Sequence, residues 1–369
     1  MLSRNSLNLA SGKRLAYRVL RGAAALLAMP TARRDGTVAI FYGGARAGSR
    51  GGPLVKLRQL QSAFPQHATG FSLVYLLSNA LYLPDQVLAR LQRARIPIVV
   101  NQNGVFYPAW HPQGWERENA RMGAALARAS HVFFQSEFCR ACAERFLAAR
   151  PLSSEILPNA VDTSTFVPTQ SRRRAGQPFR FLLTGKIVPS TAYRLTSSLE
   201  GLAAARRGGL DVTLTVAGPL ESDVGIEGRR VAERLKIAES VTFTGPFSRD
   251  AAPAVYQAAD AYIMTKHDDP CLNVVLEALA CGLPVLYSTS GGVPELVGDQ
   301  AGIALAVPAT FEGNPVPSPQ AIADGMARII ADRDACAVAA RQRAVERFDL
   351  TRWLLRHHDV FTRLVAGAS

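Results

Sequence analysis

The chain is short of cysteine, of aromatics and of long apolar runs, and each shortage removes a class of protein. Five Cys in 369 residues, odd in number and scattered, give no disulfide framework. Cys139 and Cys142 form a single C-x-x-C in a helix-like stretch, with no second pair and no His nearby, so no zinc site is expected. Buried thiols in a reducing cytoplasm are the default. No apolar run reaches the roughly 18 residues of a membrane span. The best stretch, Gly22 to Met29, is flanked by arginines. Its basic start and Pro30-Thr31-Ala32 end have the outline of a secretory signal, but the apolar part is at the lower limit and Arg18 and Arg21 crowd it. Hydrophobic residues make up 48% and charged residues 19%, which is globular rather than disordered, and 369 residues suit two domains better than one core.

Acid is scarce in one half only. Residues 1–170 hold 20 Lys+Arg against 8 Asp+Glu, whereas residues 171–369 hold 22 against 21. The net charge of +13 therefore belongs to the first half and implies an anionic partner there, such as anionic lipid, a phosphorylated carrier or nucleic acid. Aromatics interleaved with those arginines are sparse, and single-strand nucleic-acid binding needs stacking platforms, so nucleic acid is not the expected partner. Residues 1–36 stand apart. Lys13, Arg14, Arg18 and Arg21 recur at three- and four-residue spacing with Leu15, Val19 and Leu20 between them. This reads either as a basic amphipathic helix on an anionic membrane or as a surface helix packed on the first domain.

Short β-branched runs separated by helix-length stretches fill the rest. They fall at 37–42, 72–77, 96–100 and 131–135, then at 179–184, 212–217, 241–244, 260–264, 284–288 and 302–306. Continuous apolar strands alternating with helices predict parallel sheets covered on both faces. The ladder breaks at Val167-Pro-Thr-Gln-Ser-Arg-Arg-Arg-Ala-Gly-Gln-Pro178, a polar linker. The expectation is an α/β chain of two doubly wound, Rossmann-like domains, 37–170 and 171–349, facing a cleft that holds the site.

Few chemical motifs are present. Gly43-Gly44-Ala-Arg46-Ala-Gly48-Ser-Arg50-Gly51-Gly52-Pro53 follows the first strand and precedes a helix expected over 54–63. It is neither G-x-G-x-x-G nor a P-loop. Its glycines permit close backbone approach to a ligand, and the helix start offers N–H groups to an anion or hydroxyl. Phe181-Leu-Leu-Thr184-Gly185-Lys186 ends a strand with an ammonium suited to a phosphate. Ala217-Gly218-Pro219 and Thr244-Gly245-Pro246 repeat the strand-then-Gly pattern. His267-Asp268-Asp269 is too compact to be expected as a metal site, and Asp332-Arg-Asp334 reads as a solvated helix face. The strongest feature is Asp269-Pro-Cys-Leu-Asn-Val-Val-Leu-Glu277, followed by Ala278-Leu-Ala-Cys-Gly-Leu-Pro-Val285. Glu277 lies in a helical run apolar on nearly every face, so its carboxylate needs a partner. Ser288-Thr-Ser-Gly291-Gly292-Val-Pro-Glu295 adds a glycine turn beside it.

With Ile156-Leu-Pro-Asn159-Ala-Val-Asp162 and Phe166, these pieces resemble the retaining, nucleotide-sugar-dependent glycosyltransferases of the GT-B fold, the group 1, family 4-like proteins marked by E-x7-E. The resemblance runs from Thr37 onward. It implies transfer of a sugar from a nucleotide-diphospho-sugar to a glycan or lipid-linked acceptor, with retention, in cell-surface polysaccharide or lipopolysaccharide synthesis. Glu277 would hold the ribose hydroxyls, Asp269 the donor sugar, and the N–H groups of Leu272, Asn273 and Val274 the sugar and diphosphate. Lys186, with Gly185 and Gly218 around it, would neutralise the leaving diphosphate, so neither metal nor other cofactor is expected. Gly51, Gly52 and Asn103 would lie on the acceptor side. The final helix, from about Leu350, would cross back onto the first domain with Trp353 as a packing anchor. The protein would be cytoplasmic and peripheral at the inner face of the membrane.

Three departures stand out. The first acid is Asp rather than Glu; Thr191 occupies the family's second basic position, with Arg194 as a substitute; and Asn103 replaces a His. An amide hydrogen-bonds a hydroxyl but carries no proton near neutral pH. A catalytically weak or silent protein is the alternative these departures leave, and a sugar-nucleotide epimerase or a phosphorylase on the same fold is a second.

Overall fold

The structure, a computed structural model, describes residues 4–29 (side chains from Ala16 onward), 32–33, 35–48, 52–148, 151, 153–169 and 176–368. Contacts divide the chain into two units: Met1–Phe106 with Gln113–Pro158 and Arg352–Ser369, and Tyr107–Pro112 with Asn159–Thr351.

The first unit runs α1 (Arg4–Ala28), β1 (Ile40–Phe41), α2 (Gly52–Ala63), β2 (Leu73–Leu77), α3 (Asp85–Arg93), β3 (Ile98–Gln102), α4 (Trp115–Ala127), β4 (His131–Phe134), α5 (Glu137–Leu147) and β5 (Ser154–Ile156). Its strands pair in the order β1-β2-β3-β4-β5, all parallel. Leu73-Val-Tyr-Leu-Leu77 and Ile98-Val-Val-Asn-Gln102 are buried along their whole length, as interior strands covered by helices on both faces require. Pro53 sits in the first turn of α2, where its missing N–H costs nothing. Ser136 caps α5 by accepting from the Cys139 N–H at 3.0 Å. β5 had no counterpart among the expected strands: Ser154-Glu-Ile156 is an edge strand, partly exposed and with one apolar residue in three.

The second unit runs β6 (Phe179–Thr184), α6 (Tyr193–Arg207), β7 (Val212–Ala217), α7 (Ser222–Arg234), β8 (Val241–Gly245), α8 (Ala252–Gln257), β9 (Ala261–Met264), α9 (Asn273–Ala280), β10 (Val285–Ser288), α10 (Val293–Val297), β11 (Gly302–Leu305), α11 (Pro319–Ala331) and α12 (Arg333–Arg347). Its sheet is also parallel, ordered β11-β10-β9-β6-β7-β8. The chain starts at β6, winds outward to β8, then returns to the other side of β6 with β9. The carboxyl ends of β6 and β9 thus flank the point where winding reverses, the place such sheets offer a ligand. The division into units falls at Pro158/Asn159, ahead of the polar stretch 167–178. Val161 explains this: it accepts from Leu350 N at 3.0 Å and donates to Phe348 O at 2.8 Å, while Phe166 packs into the second unit's core.

The last helix, α13 (Leu350–Ala366), belongs from Arg352 onward to the first unit. Trp353 is buried, with its ring 4.1 Å from that of His357. His357 lies among Trp353, Phe133, Tyr75 and Phe361, and burial pushes its ring down to about 3, so it packs as a neutral aromatic.

Candidate functional site

Every donor-side residue named from the sequence lies in the second unit, around the ends of β6, β7 and β9. Gly185 follows β6 with φ +103, and Gly218 follows β7 with φ +126. A Cβ on Gly218 would stand 2.6 Å from the Gly185 carbonyl oxygen, so the two turns touch backbone to backbone. Gly218 N–H donates to Gly245 O at 2.8 Å, carrying the contact to the end of β8. Lys186 projects from this floor. Its ion pair among the described residues, with Glu221 at 3.6 Å, joins side chains 64% and 48% exposed, so it holds the ammonium weakly.

Arg194 and Thr191 differ in what they offer. Thr191 Oγ1 accepts from Val188 N at 3.1 Å and closes the turn before α6, supplying no charge. Arg194 is buried beneath Gly185: one terminal nitrogen donates to Thr184 O at 2.9 Å, and its Nε is buried without a hydrogen bond. A Cβ on Gly185 would come within 3.9 Å of its other terminal nitrogen and 4.0 Å of Val274. The cation therefore lies under the turn, next to the entry of α9.

Helix α9 carries Glu277, half-buried, and its carboxylate has the partner that burial demands: Tyr256 Oη donates to Oε2 at 2.7 Å. Tyr256 Oη also lies 3.2 Å from Thr184 Oγ1, which is 2.9 Å from Tyr262 Oη. Glu277 is thus wired to the residue preceding Gly185. Burial pushes its carboxyl up to about 7, although the Tyr256 hydroxyl and Arg249 act in the opposite direction. Among the described residues no side chain caps α9: Val275 N–H turns back to Leu272 O at 3.1 Å, and the Asn273 and Val274 N–H groups have no side-chain partner there.

Asp269 sits at the other end of this element. Lys266 Nζ donates to Oδ2 at 2.6 Å and Cys271 N–H donates to Oδ1 at 3.1 Å, so both oxygens are engaged. Its backbone oxygen accepts from Gly292 N at 2.9 Å. A Cβ on Gly291 would meet that same oxygen at 2.5 Å, on a backbone with φ +67, which is why position 291 is glycine. Before it, Asp268 takes a left-handed φ of +49, with its N–H donating to Ser290 Oγ at 2.8 Å. Ser290 Oγ also meets His267 Nδ1 at 2.9 Å, and His267 Nε2 donates to Thr310 O at 2.9 Å. Burial opposes charge on His267, yet Asp268 and the Thr310 carbonyl outweigh it and hold its pKa above the ordinary value. His267-Asp268 is therefore a clamp on the Asp269 turn. Asp334 of the D-x-D is 93% exposed and pairs with neighbouring Arg333.

Several contributors were not identified from the sequence. Tyr256 and Tyr262 come from α8 and β9, and only the strand order brings them to Glu277. Asn159, in the Leu-Pro-Asn-Ala-Val-Asp segment, donates to Cys271 O at 2.9 Å and to Asn273 Oδ1 at 2.8 Å, fixing the entry of α9. That segment was the available signal, and its role here is a tether.

In the first unit, Asn103 is half-buried in an amide cluster. Its Oδ1 accepts from Lys56 Nζ at 2.9 Å and from Gln135 Nε2 at 2.8 Å, and its Nδ2 donates to Asn79 Oδ1 at 2.8 Å. Gly52 opens α2, and a Cβ there would meet nothing within 4 Å. Gly51 lies outside the described residues.

Residues 178–332 match the family of Glycosyl transferases group 1. A D-inositol 3-phosphate glycosyltransferase of Actinosynnema mirum is 34% identical over 164 residues, 41% of this chain and 39% of that protein. The GDP-mannose-dependent alpha-(1-6)-phosphatidylinositol monomannoside mannosyltransferase of Mycobacterium tuberculosis is 30% identical over 226 residues, 55% of this chain and 53% of that protein. The chain thus spans about half or less of the length of these relatives. Among solved structures, a sucrose-phosphate synthase from Thermosynechococcus elongatus aligns with TM-score 0.64 and 19% identity, covering 84% of this chain and 77% of that one. Anabaena HepE in complex with UDP-glucose aligns with TM-score 0.62 and 21% identity over 84% and 82%. Residues 178–332 thus match a group 1 glycosyltransferase domain, on a chain with the GT-B fold.

Proposed function

We propose that the protein transfers a sugar from a nucleotide-diphospho-sugar to a glycan or lipid-linked acceptor, with retention of anomeric configuration, in cell-surface glycan synthesis. One observation carries the reading: within the matched domain, Glu277 is held by Tyr256 at the reversal point of the sheet, on a helix whose start lacks a side-chain cap. Its second oxygen is available to a diol, while Lys186 and the glycine floor accommodate a diphosphate at close backbone range. Lys186 and the first turn of α9 would place positive potential where charge develops on the leaving group, so the barrier falls by electrostatic stabilisation and no metal is required. Asp269, oriented by Lys266, would contact the donor sugar. The relatives' names favour a phosphoinositol-type acceptor over a plain glycan.

The test is a thermal-shift screen with UDP-, GDP- and ADP-sugars on the wild type and Glu277→Ala. One nucleotide sugar raises Tm in the wild type. In the variant the affinity falls by roughly 2–3 kcal/mol, the worth of charge-assisted hydrogen bonds to the ribose. If no nucleotide stabilises the wild type, or the variant binds equally well, the donor-site assignment is wrong.

A further inference from the structure

Helix α1 precedes β1 and joins the first unit along one face. Tyr17 Oη donates to Gly44 O at 2.8 Å, and the guanidinium groups of Arg21 and Arg46 lie 4.8 and 5.3 Å from its ring centre. A Cβ on Gly22 would stand 3.0 Å from Pro84, and Ala25 and Ala28 are buried. The opposite face is apolar and open. Ala16, Val19, Leu20, Ala23 and Leu27 follow one another at helical spacing, all exposed, with Val19 at 62%, Leu20 at 63% and Leu27 at 81%. The described cations point the other way: Arg18 and Arg21 are half-buried, each with its Nε shielded from solvent and without a hydrogen bond. From Ala16 onward the helix is thus inverted relative to an ordinary surface helix, which shows its charges to water and hides its leucines.

Charge selects the occupant of this face. The α1 sequence holds five Lys or Arg and no Asp or Glu. Residues 1–84 as a whole hold 11 Lys or Arg and a single acid, Asp35. A second copy docking through the same stripe would bring two strongly cationic segments together, whereas an anionic bilayer accepts the apolar stripe and is complementary to the cationic field of residues 1–84 around it. No described helix is long and apolar enough to cross a membrane, so α1 would lie in the interface.

We propose that the Ala16–Leu27 face of α1 docks the protein on an anionic phospholipid surface. Because Tyr17 and Arg21 hold the Gly43–Gly44 turn against the other face of α1, docking places the start of the β1–α2 loop one helix diameter, ~10 Å, above the bilayer. Resting on the function proposed above, this assigns the acceptor to the lipid-borne class.

The test is co-sedimentation of the full chain with phosphatidylcholine vesicles, with and without phosphatidylglycerol. Binding is expected only with the anionic lipid, falling as salt rises. It should weaken at least about tenfold in L20E/L27E and in the uncharged L20Q/L27Q, since both remove apolar area from the interface. Both sites are exposed, so Tm and the nucleotide-induced shift should stay unchanged, which separates failure here from failure of the donor-site reading. Equal binding to neutral vesicles, no binding, or binding unchanged in both variants would overturn the proposal. So would a lipid-free dimer that the variants dissolve, since the stripe would then belong to a second copy.

Discussion

The two sheets finish their strands in opposite ways. At the carboxyl ends of β6, β7 and β8 the chain places Gly185, Gly218 and Gly245, which leave bare backbone. At the ends of β2, β3 and β4 it places Asn79, Asn101, Asn103 and Gln135, and these close on one another around Lys56. The first arrangement clears room for a ligand that the backbone and a few charges hold. The second fills the room with side chains that already satisfy much of each other's hydrogen bonding. One fold thus yields a rigid floor in one unit and a polar plug in the other.

The largest effect should come from breaking the floor. In Gly218→Ala the new methyl group meets the Gly185 oxygen at 2.6 Å, on a backbone with φ +126. Unfolding free energy should drop by roughly 2–4 kcal/mol, read by urea or thermal denaturation. Gly52→Ala is the control in the first unit: with nothing within 4 Å of the added atom, stability should change by less than about 0.5 kcal/mol. Equal costs at the two positions would show that the floor is not tightly built.

A smaller effect should come from opening the plug. Lys56 is 2% exposed and donates to Asn101 and Asn103. Lys56→Met keeps the stem and removes the donor, leaving amide oxygens short of a partner at a cost of about 1–3 kcal/mol. Nucleotide-sugar binding, assigned to the second unit, should be unaffected. A loss of nucleotide affinity as large as in Glu277→Ala would contradict that division of labour.

The sequence carried most of the architecture because buried parallel strands are continuous apolar runs, and each run from Thr37 to Ala306 overlaps a strand. It missed β5, whose Ser-Glu-Ile is too polar and short to signal burial. The demand for a partner on Glu277 was also legible, since an acid in an otherwise apolar helix cannot stand alone. Its partner was not. Tyr256 belongs to another helix, and Thr184 to a strand far away in the chain, so only the reversed winding of the sheet joins them. Lys266 lies three residues from Asp269, but a lysine at that spacing is common, and only the turn held by Ser290 and Gly291 directs it to the carboxylate.

The finest prediction concerns protonation at the floor's edge. Glu277 is raised from the ordinary carboxylate value of 4.5 to about 7, chiefly by burial. Between those values the folded chain keeps a proton that the unfolded chain has released. The unfolding free energy should therefore fall as pH rises through this window and level off above it, by at most about 3 kcal/mol in all and by less in so far as solvent screens a half-buried carboxylate. Ribose hydroxyls donate to the ionised form, so nucleotide affinity should move in the opposite sense and increase as pH rises from about 6 to about 8. Glu277→Gln keeps the shape without the titration, and both slopes should flatten. Calorimetric titration with the nucleotide sugar at each pH measures the affinity, and denaturation without ligand measures the stability. If the affinity slope survives in Glu277→Gln, another group governs binding and the carboxylate is not the ribose acceptor. The amide plug around Lys56 should leave that slope untouched.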